Sequence, residues 1–278
     1  MASVELRDLQ FYMLDILMEL DRICKKHDIQ YFLAYGSCLG AVRHKGFIPW
    51  DDDIDIHMKA DDYLKFIEVC KTELDEKYYL QNRLEDAKAF VFWNQFGVKN
   101  STSINKTLSH IHKPWGICVD IFPIFPYSKD SKIQNKRQKM FKIMKLLSLK
   151  SYHVATIKNE KGIQKLKKMV HCMIPDKINC ILFSYLFKKL ADKKGLGEIC
   201  WTSYSVSLPH NVYFEDEWIS ETVDLDFEHV KLPCPINWDA YLTTFYHNYM
   251  QIPKDKTKHS DDSDVIIRFD ECYENYWS

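Results

Sequence analysis

The chain carries almost no net charge. Its 38 Lys and Arg stand against 39 Asp and Glu, a formal −1 over 278 residues. No overall field draws it to nucleic acid. No apolar run approaches the ~18 residues that a membrane span needs. The N-terminus, Met1-Ala2-Ser3-Val4-Glu5, lacks the basic-then-apolar pattern of a secretory signal, so a cytoplasmic protein is expected. Nine cysteines, an odd number without paired spacings, argue against a disulfide framework. With no Cys-x-x-Cys there is little support for structural zinc. Cys24, Cys70, Cys118, Cys172 and Cys180 sit among apolar residues and read as buried thiols. What is present is a 46% hydrophobic, 14% aromatic composition, enough to bury a core in one large domain or two small ones.

The chemistry concentrates between Tyr35 and Ile56. A strand from Ile29 to Tyr35 is expected to run into Gly36-Ser37. There the glycine permits a tight turn and close backbone approach. Ser37 would cap a short helix from about Cys38 to Lys45. A helix N-terminus opening on a strand end suits a phosphate. Arg43 and Lys45 lie at the other end of that helix. They read either as complements of its dipole or as contacts to donor phosphates or acceptor. Further on, Asp53-Ile54-Asp55-Ile56 alternates acid and apolar, which on a strand puts both carboxylates on one face. Two such carboxylates repel unless a cation lies between them. Mg²⁺, which takes oxygen ligands and shares its shell with phosphates, is the natural choice. A phosphate cradle followed by a two-carboxylate clamp is the equipment of phosphoryl or nucleotidyl transfer.

Residues 36–55 resemble the LicD family, within the nucleotidyltransferase-fold superfamily. The resemblance rests on Gly36-Ser37, Leu39-Gly40-Ala41, Arg43, Gly46 and the run Ile48-Pro49-Trp50-Asp51-Asp52-Asp53-Ile54-Asp55. A second block, Gly116-Ile117-Cys118-Val119-Asp120-Ile121-Phe122-Pro123, is similar to the family's second motif. Asp120 stands among apolar strand residues, where a carboxylate needs a partner. By the resemblance it is a third metal ligand and takes the proton from the attacking hydroxyl. The resemblance also implies a basic residue at Lys99 as a phosphate contact. The rival reading of Lys99 is a surface lysine. Family members are expected to move phosphocholine or a related phosphoalcohol from a CDP-activated donor onto a glycan.

The remaining chain reads as follows. Leu6 to Ile23 keeps the three-and-four spacing of an amphipathic helix. The loop Gly46 to Trp50 is apolar where loops are usually polar, and suggests an aromatic wall or core filling. Tyr78-Tyr79-Leu80 begins a strand, and Phe90 to Lys99 reads as another strand or a pair. From Ser128 to Leu196 lysines face few acids, and apolar residues keep helical spacing. Two or three basic helices are expected there, broken near Pro175. They form either a solvated cap or a surface for anionic lipid or lipid-linked phosphate. A hairpin ending near Pro235 and a helix from Trp238 follow. His247 stands where the family commonly has glycine, and His259 lies in the tail.

These readings give an α+β fold, a nucleotidyltransferase-like mixed sheet with packed helices and a basic helical insertion. The expected segments are a catalytic core at 1–127, the insertion at 128–196, and a hairpin and helix at 197–278 completing the unit. The expected site has Asp53, Asp55 and Asp120 on Mg²⁺ or another divalent cation, and Gly36, Ser37, Arg43, Lys45 and Lys99 on the donor. The partners would be CDP-choline or another CDP-alcohol and a glycan acceptor or its lipid-linked precursor, with peripheral contact at the inner membrane face through the basic helices. Two rivals stay open: transfer of a nucleoside monophosphate onto a small molecule or sugar, and an inactive glycan-binding scaffold.

Overall fold

The computed structural model of the chain describes residues 5–89, 91–150, 152, 162, 168–169, 172–196, 199–203, 212–253 and 264–278. It is a mixed α+β protein. The helices among the described residues are α1 (Leu6–Lys26), α2 (Tyr35–His44), α3 (Ala60–Glu73), α4 (Ser131–Ser148), α5 (Asp176–Ala191), α6 (Asp216–Ile219) and α7 (Trp238–Tyr246). The strands are β1 (Phe32–Leu33), β2 (Asp55–Lys59), β3 (Tyr78–Gln81), β4 (Asn94–Val98), β5 (Thr102–Asn105), β6 (Cys118–Ser128), β7 (Ile199–Ser203), β8 (Val212–Glu215), β9 (Thr222–Phe227), β10 (Val230–Pro235) and β11 (Val265–Arg268).

Strand β6 organises the sheet. Its first half lies between β2, to which it is parallel, and β4, to which it is antiparallel, giving the order β1-β2-β6-β4-β3. Its second half pairs with β7, and β8 follows. Alternation along these strands sorts their side chains by face. Ile54, Ile56, Phe96, Val119 and Ile121 are fully buried on one side. Asp55, Gln95 and Asp120 point to the other. Helices α1 and α3 pack against the sheet. A single buried cluster runs from Leu9 through Phe141 and Phe183 to Tyr241, so all three expected segments contribute to one core. Far along the chain, β11 pairs with β5, and Tyr273 closes a smaller cluster with Tyr79 and Trp115.

Several boundaries differ from the sequence reading. Strand β1 is only Phe32–Leu33, and α2 begins at Tyr35 rather than Cys38. Ala34 stands at the cap, and Ser37 lies inside the first turn, where its Oγ accepts from the Asp55 N–H at 2.9 Å. Strand β2 starts at Asp55, so Asp53 precedes it instead of lying on it. Residues 91–93 form bends before β4, and Phe90 lies outside the described residues. Pro175, at the expected break, stands at the N-cap of α5, and the β9–β10 hairpin turns at Glu228, which takes a φ of 56°.

The apolar loop after α2 is core filling at Phe47, which is buried against Phe227. Lys45, in the left-handed conformation, ends the helix, and its N–H returns to the Gly40 carbonyl. A Cβ at Gly40 would lie 2.5 Å from the Gly46 carbonyl oxygen. Gly40→Ala should therefore force backbone apart and cost about 1–3 kcal/mol of stability, the range for overpacking. A chemical denaturation curve reads it; an unchanged midpoint would mean that the loop yields freely.

Candidate active site

Five carboxylates meet where α2, β2 and β6 come together. Asp55 and Asp120 are register partners on adjacent parallel strands and point to the same face. The backbone holds this edge closely: the Asp120 N–H donates to the Ile54 carbonyl at 3.0 Å, and the Ala34 N–H donates to the Asp55 carbonyl at 2.8 Å. Ligand oxygens of Asp51, Asp52 and Asp53 all lie within 4.8 Å of one another. Asp51 is buried, and its carboxylate leans over α2: an Oδ2 to Cβ distance of only 2.9 Å would result if Gly36 carried a side chain. The close approach that Gly36 permits is thus the approach of an acid.

Electrostatics bind the five together. Burial raises the Asp51 carboxyl to about 6, and the charge of Asp52 adds to the effect while a hydrogen bond with Asp53 opposes it. Asp55 is raised well above the carboxylate range, first by burial and then by Asp53, Asp120 and Asp51. Burial also raises Asp120; a hydrogen bond from Gln95, the nearby Trp93 indole and the ammonium of Lys113 work against it. Like charges so placed disfavour their own ionisation, and a divalent cation would reverse that. The donor set, all hard carboxylate oxygen, fits Mg²⁺ or Ca²⁺ better than a softer metal.

Residues that sequence reading missed hold the acids in place. The Gln10 amide, buried on α1, donates to the carbonyls of Asp51 at 2.9 Å and Ile48 at 3.2 Å. Glu228, at the hairpin tip, accepts from the Phe47 N–H at 2.9 Å and pairs with Arg7. Gln95 on β4 donates to Asp120 Oδ1 at 2.9 Å, and its own Oε1 accepts from Lys113 Nζ at 2.8 Å. Burial lowers the Lys113 ammonium to about 8. The Asp51-Asp52-Asp53 run was itself a visible sign of the wider cluster. Gln10, Gln95 and Lys113 become site residues only through tertiary register.

An aromatic wall adjoins the acids. The half-exposed Tyr35 ring lies 5.4 Å from Phe122 and 5.0 Å from Phe245, and Trp93 lies 4.8 Å from Phe122. Tyr246 is raised by burial and then by Asp55, Asp51 and Asp53, so it borders the same cleft. His57 beneath is fully buried among rings, and burial lowers it to about 3.

The expected donor contacts scatter more widely. Arg43 turns away to donate to the Tyr249 carbonyl at 2.7 Å. Lys45 is exposed at the helix end. Lys99 is exposed beyond β4, four residues past Gln95, and is not brought to the acids. His247 follows α7 with a φ of 52°, so the side chain stands at a position that favours glycine. His259 lies outside the described residues.

Residues 28–160 match the family described as LicD/FKTN/FKRP, nucleotidyltransferase domain. The chain carries a LicD-family domain. That span holds α2 and all five carboxylates. The LicD resemblance extends further: the chain is 27% identical over 271 residues to the lipopolysaccharide cholinephosphotransferase LicD of Haemophilus influenzae, covering 92% of this chain and 95% of that protein. Two uncharacterised Rickettsia proteins match shorter segments. The Rickettsia typhi protein is 37% identical over 54 residues, 19% of this chain and 18% of its own length. The Rickettsia prowazekii protein is 40% identical over 47 residues, 17% and 18%. No helix among the described residues is long and apolar enough to cross a membrane.

Proposed function

We propose that the chain transfers phosphocholine from a CDP-activated donor onto a sugar hydroxyl of a glycan or its lipid-linked precursor, releasing CMP. The observation that carries this reading is the pairing of Asp55 with Asp120 beside the Asp51-Asp52-Asp53 cluster, within a LicD-family domain. The name of the Haemophilus relative supports the choice of phosphocholine. On this reading the sheet is of the nucleotidyltransferase type, with residues 1–127 as its core, 128–196 as a basic insertion and 197–278 completing the unit. The protein works in the cytoplasm.

Asp53, Asp55 and Asp120 would hold Mg²⁺ or another divalent cation, with Asp51 and Asp52 beside them. Such an ion supplies neutralisation of the charge that develops on the transferred phosphoryl group and on the leaving CMP. Asp120, whose Oδ1 accepts from Gln95, has Oδ2 with which to take the proton of the attacking hydroxyl. With the Asp51 carboxylate over Gly36, a donor phosphate at this turn would need a divalent cation held by the acids to offset their charge. Gly36, Ser37, Arg43, Lys45 and Lys99 remain the proposed donor contacts, with Gly36 and Ser37 nearest the acids. The aromatic wall of Tyr35, Trp93, Phe122 and Tyr246 favours choline over glycerol or ribitol, since a quaternary ammonium is attracted to ring faces.

The test is a screen of CDP-choline, CDP-ethanolamine, CDP-glycerol and CDP-ribitol with Mg²⁺ and a glycan extract, reading CMP. CDP-choline should give the largest metal-dependent release. Pyrophosphate from a nucleoside triphosphate instead would indicate nucleotidyl transfer, in which the same acids serve attack at the nucleotide's α-phosphorus. No product from any donor would leave a glycan-binding scaffold.

A further inference from the structure

We infer that the outer face of the α4–α5 helix pair is a docking surface for an anionic phospholipid bilayer. Between Ser131 and Ala191 there are 15 Lys and Arg against 2 Asp and Glu, a balance of +13; the remaining 23 basic and 37 acidic residues give −14. Nine of the fourteen exposed large hydrophobic side chains among the described residues fall between 143 and 185. Greasy and basic residues have therefore been collected on one part of a chain that is otherwise acidic.

The end of α4 and the start of α5 lie together. The Asn179 side chain donates to the Leu147 carbonyl at 3.2 Å, and the fully buried Arg83 donates to that same carbonyl at 2.8 Å, clamping the end of α4 to the start of α5. Arg137 binds the Leu190 carbonyl at the opposite end, so the helices run antiparallel. Phe141, Met144, Phe183 and Phe187 take the inner face. Helical spacing then turns Ile143 and Leu146 outward on α4, and Ile178, Ile181, Leu182 and Tyr185 outward on α5. Ile181 is 58% exposed, Tyr185 57%, and Met173, just before α5, 80%. Lys139 and Lys142 flank the stripe on α4; Lys177, Lys188 and Lys189 flank it on α5. An exposed apolar stripe of this kind marks a protein or membrane contact. The lysine flanks select a negatively charged membrane, into whose headgroup boundary a helical face of this make-up settles.

This surface does not depend on the transfer reaction and is tested without it. The full chain is sedimented with vesicles of phosphatidylcholine alone, or of phosphatidylcholine and phosphatidylglycerol in equal parts. Binding to the mixed vesicles is expected at about 0.1 M salt, and most of it should be released at about 1 M, as the Debye length falls from roughly 10 to 3 Å. Lys188→Gln/Lys189→Gln should weaken partitioning about 25-fold, since each lysine near such a surface contributes roughly fivefold. Ile181→Ser/Leu182→Ser, with every charge kept, should weaken it about tenfold through lost apolar burial. All four positions are exposed, and unchanged thermal melts would show that the variants fold. Negligible binding to both vesicle types would overturn the proposal and leave the stripe to a protein partner. Binding indifferent to the Ile181 and Leu182 changes would overturn it too, as would light scattering that shows a dimer built on this face.

Discussion

Asp120→Asn should lower turnover about a thousandfold while raising the melting temperature. The two effects have one cause. Asp120 is pressed upward in pKa by burial and stands in register with Asp55, itself raised by three neighbouring acids. Removing one negative charge relieves repulsion among the acids in metal-free protein, and a gain of about 1 kcal/mol is reasonable for an engineered relief of this kind. The same change removes a ligand and the group placed to accept a proton, with several kcal/mol of transition-state stabilisation at stake. Asparagine keeps the size and can still meet the Gln95 side chain, so gross rearrangement is not expected. The decisive measurement is thermal melting with and without Mg²⁺. Wild type should be stabilised by the ion through mass action, and Asp120→Asn much less. If Mg²⁺ leaves the wild-type melt unchanged and turnover survives the substitution, the five carboxylates are not a metal site.

Most elements were legible because they follow local rules. The apolar spacing of α1, the β9–β10 hairpin and the break at Pro175 all agree with the sequence. So does the placement of two acids in apolar strand surroundings, since Asp55 and Asp120 prove to be direct neighbours across β2 and β6. The start of α2 was misread because Gly-Ser looks like a turn followed by a cap. The chain instead bends at Tyr35, where φ is 42°, and Tyr241 from the distant α7 accepts the Tyr35 N–H at 3.1 Å. No local rule foresees a cap supplied from 206 residues away. Lys113 escaped the sequence for a related reason. Lys99 follows the end of β4, which runs antiparallel to β6, and the four residues beyond Gln95 carry it about 13 Å along the sheet. Lys113 lies in an irregular stretch before Trp115, and only the folded chain turns it back toward Gln95.

Lys113→Met should lower turnover by about 10- to 100-fold, the usual effect of removing a group that orients a ligand from behind. Lys113 is only 3% exposed. Its ammonium reaches Gln95 Oε1 at 2.8 Å, Gln81 Oε1 at 3.1 Å and the Pro114 carbonyl at 3.1 Å, and lies 3.9 Å from the centre of the Trp115 ring. An ammonium only donates. Gln95 must therefore turn its oxygen to Lys113, and that aims its NH₂ at Asp120 Oδ1. Methionine fills similar volume but donates nothing. Gln95 is then free to flip, and its oxygen would face the carboxylate it had been supporting. Stability should change little, because two glutamine oxygens and the Pro114 carbonyl lose a donor at about 1–3 kcal/mol each while the cost of burying a charge disappears. The route through Gln95 is tested by a double-mutant cycle. Gln95→Leu alone should match the loss, and Lys113→Met added to it should cost no more. Two losses that simply multiply would mean that Lys113 acts on the site directly through its charge, and the orienting role assigned to Gln95 would be wrong.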